Sequence, residues 1–314
     1  MAGQAFIGID VGGTTTAGGL VTPDGAVLEH VQEPTHRRGP ATALLTLLDV
    51  VDRLRDLARA RGLEVSGIGV GVPGTVDAEA GAVGPESHYA PDLASTALAR
   101  RIQERAGVPV FVDNDVNVLA LGEWMFGAGR GARSLVLLAL GTGVGGGIIL
   151  DGRLARGHGG FGGELGHVPI KFDGRPCICG GRGCLKAYVA GTDIALQGSR
   201  RLSRSVTATE VFALAAAGDA VARELVGEVC EALGAGLAVI VNGLNPERLL
   251  VAGGVAESLK PIEAEVRAAA ARYAFARALA GTEIEILAMD KRATVRGGAA
   301  LVRYETRRRK GALE

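Results

Sequence analysis

Three cysteines fall within eight residues, Cys177, Cys179 and Cys184, and His167 stands ten residues before the first of them. Three soft thiolates and an imidazole are the donor set of a four-coordinate zinc. Four protein ligands leave no open coordination position, so an ion held there is structural and pins the loop over 163–184. The plainer alternative is three unpaired buried thiols; the clustering does not suggest a disulfide framework. Cys230 sits in an Ala/Leu/Val-rich helical stretch and reads as a small buried side chain.

Two glycine turns form the second chemical feature. Asp10-Val11-Gly12-Gly13-Thr14 and Gly141-Thr142-Gly143-Val144-Gly145 each follow an apolar strand and precede another strand. Walker and dinucleotide sites need their glycines between a strand and a helix, so neither applies. In a hairpin the amides of Gly12, Gly13 and Thr14 can converge on phosphate oxygens as a nest, with threonine hydroxyls adding donors. Asp10, at the strand end, can hold Mg²⁺ through water. A single such hairpin that binds nothing is common; two in corresponding places strengthen the phosphate reading.

A third feature is Asp113-Asn114-Asp115, where a strand ends and a helix begins. A carboxylate there can take the proton of an attacking hydroxyl in phosphoryl transfer. It can equally be a helix N-cap, and Asp113, Asn114 and Asp115 all offer that chemistry.

The elements that must carry these groups alternate. Strands near 6–11, 15–21 and 27–31 are followed by a helix over 40–60, a strand at 68–72, a helix over 93–106 and a strand at 110–112. The second half repeats the programme with strands at 134–140 and 148–150, helices near 208–233, 234–242 and 256–279, strands at 248–251 and 283–287, and a helix over 296–309. The expected architecture is α/β, with βββαβαβ twice over in two mixed sheets flanked by helices. The 314 residues, 47% hydrophobic, suit two cores. Lys+Arg and Asp+Glu are both 34, so no field favours nucleic acid or an anionic membrane. The basic run Arg307–Lys310 reads as a solvated helix end. No signal peptide is visible and the apolar runs are too short to span a bilayer, so a soluble cytoplasmic protein is expected.

Taken in order, Asp10-x-Gly12-Gly13-Thr14, Gly71-Val72-Pro73-Gly74, Asn114-Asp115-x-Asn117 with Glu123, Gly141-Thr142-Gly143-x-Gly145, Gly163-Glu164-x-Gly166-His167, the cysteine cluster, and Asn245-Pro246 before Gly253-Gly254 resemble the ROK family of bacterial sugar kinases, repressors and open reading frames. The resemblance runs from residue 6 to about 300. It implies a two-domain actin-like ATPase (ribonuclease H-like) fold with an interdomain active-site cleft, the smaller domain being 1–115 with 297–314 and the larger 116–296. It implies an ATP- and Mg²⁺-dependent kinase acting on a hydroxyl of a hexose-like acceptor, and a homodimer. By the same resemblance Asp115 rather than Asp113 is the base, and Gly74, Asn114, Asp115, Glu164, His167 and Lys186 stand at the acceptor positions. Asp10, Gly12, Gly13, Thr14, Thr15, Gly141, Thr142 and Gly143 take the phosphate end of the nucleotide, and Gly253 and Gly254 its adenine and ribose.

Two positions depart from the family pattern. Lys186 stands where sugar-phosphorylating relatives usually carry Glu, and 85–92 reads Pro-Glu-Ser-His-Tyr-Ala-Pro-Asp, without the Asn and Trp of glucose-specific relatives. The acceptor implied is therefore a polyol, cyclitol or modified hexose as readily as glucose, with Lys186 bonding an oxygen-rich end; alternatively Lys186 pairs with Glu164. His88 and His158 read as loop histidines. A sugar-sensing regulator is the main rival, disfavoured because only nine residues precede Asp10, too few for a recognition helix.

Overall fold

The computed structural model describes residues 3–311, apart from Glu86, His88, Tyr89, Met289 and Lys291. The chain divides into two compact units, Met1–Ala132 with Asp151–Gly162 and Asp290–Glu314, and Arg133–Leu150 with Gly163–Met289.

The first unit opens with β1 (Gly3–Val11), β2 (Thr15–Val21) and β3 (Val27–Pro34), continues through α1 (Ala43–Ala60) into β4 (Leu63–Val72), and passes the short antiparallel pair β5 (Val76–Asp77) and β6 (Ala82–Val83). Next come α2 (Leu98–Ala106), β7 (Val110–Asn114) and α3 (Asp115–Phe126). Its sheet runs β3-β2-β1-β4-β7, antiparallel across β1–β3 and parallel from β1 through β4 to β7.

Alternation along the strands divides the faces. Ile7, Ile9, Val11, Ile68, Val70 and Val72 are buried in one cluster with Leu47, Val50 and Leu54 of α1 and Ile102 of α2. The opposite face of the same strands carries Gly8, Asp10, Gly69 and Gly71, and the C-terminal helix Ala293–Arg309 packs across it. Asp10 stands on the glycine face, at the end of β1 and in register with Gly71.

The first unit runs to Ala132 before the chain crosses into the second. The helix α3 packs on the C-terminal helix and on β4, so it belongs to the first unit. The segment Asp151–Gly162, expected in the larger domain, also belongs to the first.

The second unit holds β8 (Leu135–Leu140) and β9 (Val144–Leu150), an antiparallel hairpin. The chain then passes through 151–162, where β10 (Arg153–Leu154) is only two residues long. After the cysteine loop come α4 (Lys186–Val189), α5 (Gly191–Arg201), α6 (Ala208–Ala216) and α7 (Ala220–Leu244). Strand β11 (Arg248–Ala252), α8 (Gly254–Leu259), α9 (Glu263–Ala271), α10 (Ala276–Gly281) and β12 (Glu283–Ile286) complete it, and the C-terminal helix is α11. Its strands run β9-β8-β11-β12, parallel from β8 to β12.

The second unit is therefore not a full repeat of the first, since the third strand of the motif shrinks to β10. The helix break expected near 233 lies at 217–219 instead, where Asp219 caps α7 by accepting from Ala222 N. The helix expected over 256–279 is three pieces. Cys230 is buried, as its surroundings suggest, and His158 is exposed. Among the described residues, no helix is long and apolar enough to cross a membrane.

Candidate active site and metal centre

The first glycine turn is fixed from outside by Thr35, which follows β3. Its hydroxyl donates to Gly12 O at 2.6 Å and its amide donates to Thr14 O at 2.9 Å. The hydroxyl's one proton is thereby used, so Thr16, 3.1 Å away, must be the donor between the two side chains. Both threonines are fully buried. The turn closes on itself through Gly12 N to Thr15 O at 2.8 Å. A trans peptide points its N–H opposite to its carbonyl, so tying Gly12 O to Thr35 turns the Gly13 amide away from Thr35.

Register aligns the carboxylates. Asp10 on β1 pairs with Gly71 on β4, and Gly71 pairs with Asp113 on β7. A side chain at 71 would bring its Cβ within 3.2 Å of the Asp115 Cα, so glycine there lets α3 start against the sheet. The three candidates at 113–115 are used differently. Asn114 is the helix cap, accepting from Val116 N at 2.9 Å and Asn117 N at 3.2 Å, while its Nδ2 donates to Gly74 O at 3.1 Å. Asp113, 1% exposed, accepts from Asn114 N, Asn117 Nδ2 and Arg156 Nε. Arg156 also bonds Glu305 at 2.6 Å, so it neutralises two buried carboxylates. Asp115 retains a half-buried carboxylate whose Oδ1 accepts from Val116 N.

Burial pushes Asp115 up to about 7, and the Asp10 charge adds to the effect. Burial likewise raises Asp10 to about 6, opposed by a hydrogen bond from Thr294. Two carboxyls poised near neutrality make a site able to accept a proton or gain a divalent ion.

The second glycine turn is held by the start of α5. Gly191 N donates to Gly141 O at 2.8 Å, and the Thr192 hydroxyl donates to Thr142 O at 2.9 Å. Gly141 N donates to Gly143 O at 3.0 Å. By the same trans geometry the amides of Thr142 and Gly143 turn away from α5. Gly253 follows β11 at φ 99°, and a Cβ there would lie 2.5 Å from Leu140 O, so its backbone lies directly against the end of β8. Gly254 begins α8.

Lys186 does not pair with Glu164. Its ammonium bonds Asp193 Oδ2 at 2.7 Å, with both side chains four-fifths buried. Glu164 is exposed and precedes a 3-10 turn that carries His167. Of the divergent loop at 85–92, Glu86, His88 and Tyr89 lie outside the described residues.

The four metal candidates do come together. One ligand atom from each of His167, Cys177, Cys179 and Cys184 lies within 4.8 Å of all the others. Cys179 Sγ is 3.7 Å from Cys184 Sγ, and Cys177 Sγ is 3.4 Å from His167 Nδ1. A tetrahedron of zinc–sulfur bonds of ~2.3 Å has sulfurs about 3.8 Å apart, so the donor set fits zinc. Burial and the neighbouring thiols push Cys184 up to about 12, a crowding that a divalent cation relieves.

Thr35, Arg156, Thr192 and Asp193 escape a reading of the sequence. Their partners lie 23, 43 and 50 residues away for Thr35, Arg156 and Thr192, beyond any local spacing rule.

The sequence profile of the ROK family matches residues 6–305. A glucokinase of Halalkalibacterium halodurans is 33% identical over 327 residues, covering 97% of each chain. A xylose repressor of Caldicellulosiruptor bescii is 31% identical over 275 residues, covering 82% of this chain and 68% of that one. Among solved structures, the ROK hexokinase of Thermus thermophilus has a TM-score of 0.83 at 33% identity, covering 97% of this chain and 99% of that one. A ROK family glucokinase from Streptomyces griseus, in complex with glucose and AMPPNP, has a TM-score of 0.75 at 28% identity, covering 95% and 98%. Likeness of this extent in sequence and in backbone has one explanation: the chain belongs to the ROK family and has the actin-like ATPase fold.

Proposed function

We propose that this protein is an ATP-dependent sugar kinase that transfers the γ-phosphoryl group to a hydroxyl of a hexose or hexose-like acceptor. The observation that carries the reading is Asp115, raised to about 7 and left over after Asn114 has capped the helix and Arg156 has neutralised Asp113. A carboxylate of that basicity is matched to taking a hydroxyl proton while the bond to phosphorus forms.

Asn114 and Gly74 support the base from one side, and Glu164 and His167 orient the acceptor ring. With His167 Nδ1 turned to the thiols, its Nε2 serves the sugar. Gly12, Gly13, Thr14 and Thr15, and the turn Gly141–Thr142–Gly143, bind the phosphate chain. Gly253 and Gly254 bind adenine and ribose. Asp10, which burial raises to about 6, would hold Mg²⁺ through water, and the ion would offset charge on the phosphates. A structural zinc on His167, Cys177, Cys179 and Cys184 keeps the loop that carries Glu164 and His167 in place. Assembly as a homodimer in the cytoplasm belongs to the same reading.

The likeness to a xylose repressor favours a second reading, a sugar-responsive protein without turnover. Fold alone does not separate the two, so the site must. ADP release in the presence of MgATP and a panel of hexoses, amino sugars, polyols and cyclitols is expected with at least one acceptor. Absence of nucleotide consumption with every member would leave the regulator reading standing. The same panel settles whether glucose or a modified sugar is preferred, since a site shaped for one polar pattern rejects another steeply.

A further inference from the structure

We infer that Thr192, Asp193 and Lys186 form a clamp that sets the shape of the second glycine turn, and that Lys186 serves the nucleotide rather than the acceptor. The inference rests on the reading of Gly141–Gly143 as a phosphate-binding turn and adds to it the residues that control its conformation.

The Thr192 hydroxyl has one proton and two acceptors within reach, Thr142 O at 2.9 Å and Asp193 Oδ2 at 3.2 Å. A carboxylate is the stronger acceptor, because hydrogen bonds to ionised groups are roughly twice as strong as neutral ones. Left alone, Asp193 would draw the proton away from the turn. Lys186 prevents this by bonding the same Oδ2 at 2.7 Å and offsetting its charge. The proton therefore stays on Thr142 O, that carbonyl stays tied to α5, and the Gly143 amide on the same peptide stays turned the other way. The Gly191 N bond to Gly141 O does the same for the Thr142 amide. Lys186 is thus a positioning residue two bonds removed from the turn. Lys186 therefore bears on nucleotide affinity rather than on acceptor choice.

The arrangement makes an unusual demand on a mutant series. Thr192→Val removes the proton, and Lys186→Met frees Asp193 to compete for it. Each is expected to weaken ATP binding, read by titration calorimetry and by KM for ATP, about five- to tenfold, the worth of one hydrogen bond. The acceptor KM should stay within about twofold, and Thr192→Ser should restore wild-type values. Asp193→Asn added to Lys186→Met should rescue it, because a neutral amide no longer outcompetes the carbonyl. Thr192 is exposed, so its variants keep the wild-type melting temperature. If Lys186→Met raised the acceptor KM and left ATP affinity untouched, or if Asp193→Asn failed to rescue it, the clamp would be wrong. Wild-type protein that binds no ATP would overturn the parent reading with it. Normal wild-type binding that Thr192→Val leaves unchanged overturns the clamp alone.

Discussion

The two glycine turns are alike in backbone and opposite in support. Each is closed by an internal amide–carbonyl bond, and each has a carbonyl tied to a threonine hydroxyl from elsewhere in its unit. Around Gly12 that threonine is Thr35, fully buried, backed by another buried hydroxyl and by no charge. Around Thr142 it is Thr192, exposed, with an ion pair deciding where its proton goes. The first turn adjoins two carboxylates that act on each other, Asp10 and Asp115. The Thr35 bond is buried with an uncharged hydroxyl behind it, whereas the Thr192 bond is exposed and adjoins an ion pair that is four-fifths buried, so charge-changing substitutions act on the second turn rather than on the first. On the proposed reading the first unit carries the chemistry and the second the grip on the nucleotide.

The sharpest way to break that contrast is to remove one carboxylate from each side. Asp115→Asn should lower kcat about a hundredfold or more, with KM for ATP little changed, whereas Asp193→Asn should lower kcat less than about tenfold. Comparable losses would erase the distinction.

The pH response sharpens it further. Asp115 must be ionised to act, so kcat/KM should fall about tenfold per pH unit once pH drops below the pair's range of about 6 to 7. Stability moves the other way. Both folded pKa values lie above the usual 3.8, so between about 4 and 7 the folded chain holds protons that the unfolded chain releases. The contribution of these two groups is fully present below that window and is lost as pH rises through it. Asp115→Asn should remove both the acidic limb and its share of this stability gain; a limb that persists unchanged belongs to another group.

Stripping zinc with a chelator tests the second unit's dependence on its loop. The melting temperature should fall by about 5 °C or more, because metal binding is folding free energy in a loop of this kind. A protein that contains no zinc as isolated and whose melting temperature the chelator leaves unchanged carries free thiols instead. The smallest effect expected is in the threonines themselves. Thr35→Val leaves Gly12 O buried and unpaired and should cost about 1–3 kcal/mol of stability, read by denaturant unfolding, while Thr192→Val should cost nothing measurable.

Much of this was legible before any coordinates. Strand–glycine–strand order gave both turns and cysteine spacing gave the metal cluster, because each is a local pattern with one physical cause. What was not legible is what holds those features in place. That Asp113 is taken up by a cation depends on an arginine 43 residues beyond it, and Lys186 could be given a partner only once α5 placed Asp193 beside it. The allegiance of α3 was not legible for a related reason, since it is set by packing against α11 at the far end of the chain. The break between α6 and α7 follows the Asp219 cap, well before the 233–234 boundary expected from the sequence.

The most direct test of the central claim is transfer of isotopically labelled γ-phosphate from ATP to a hexose, followed by isolation of the sugar phosphate, with wild type and Asp115→Asn compared side by side. The account predicts a labelled hexose monophosphate from wild type and about a hundredfold less from the variant. Label appearing only as inorganic phosphate, or transfer to sugar at equal rates by both proteins, would contradict it.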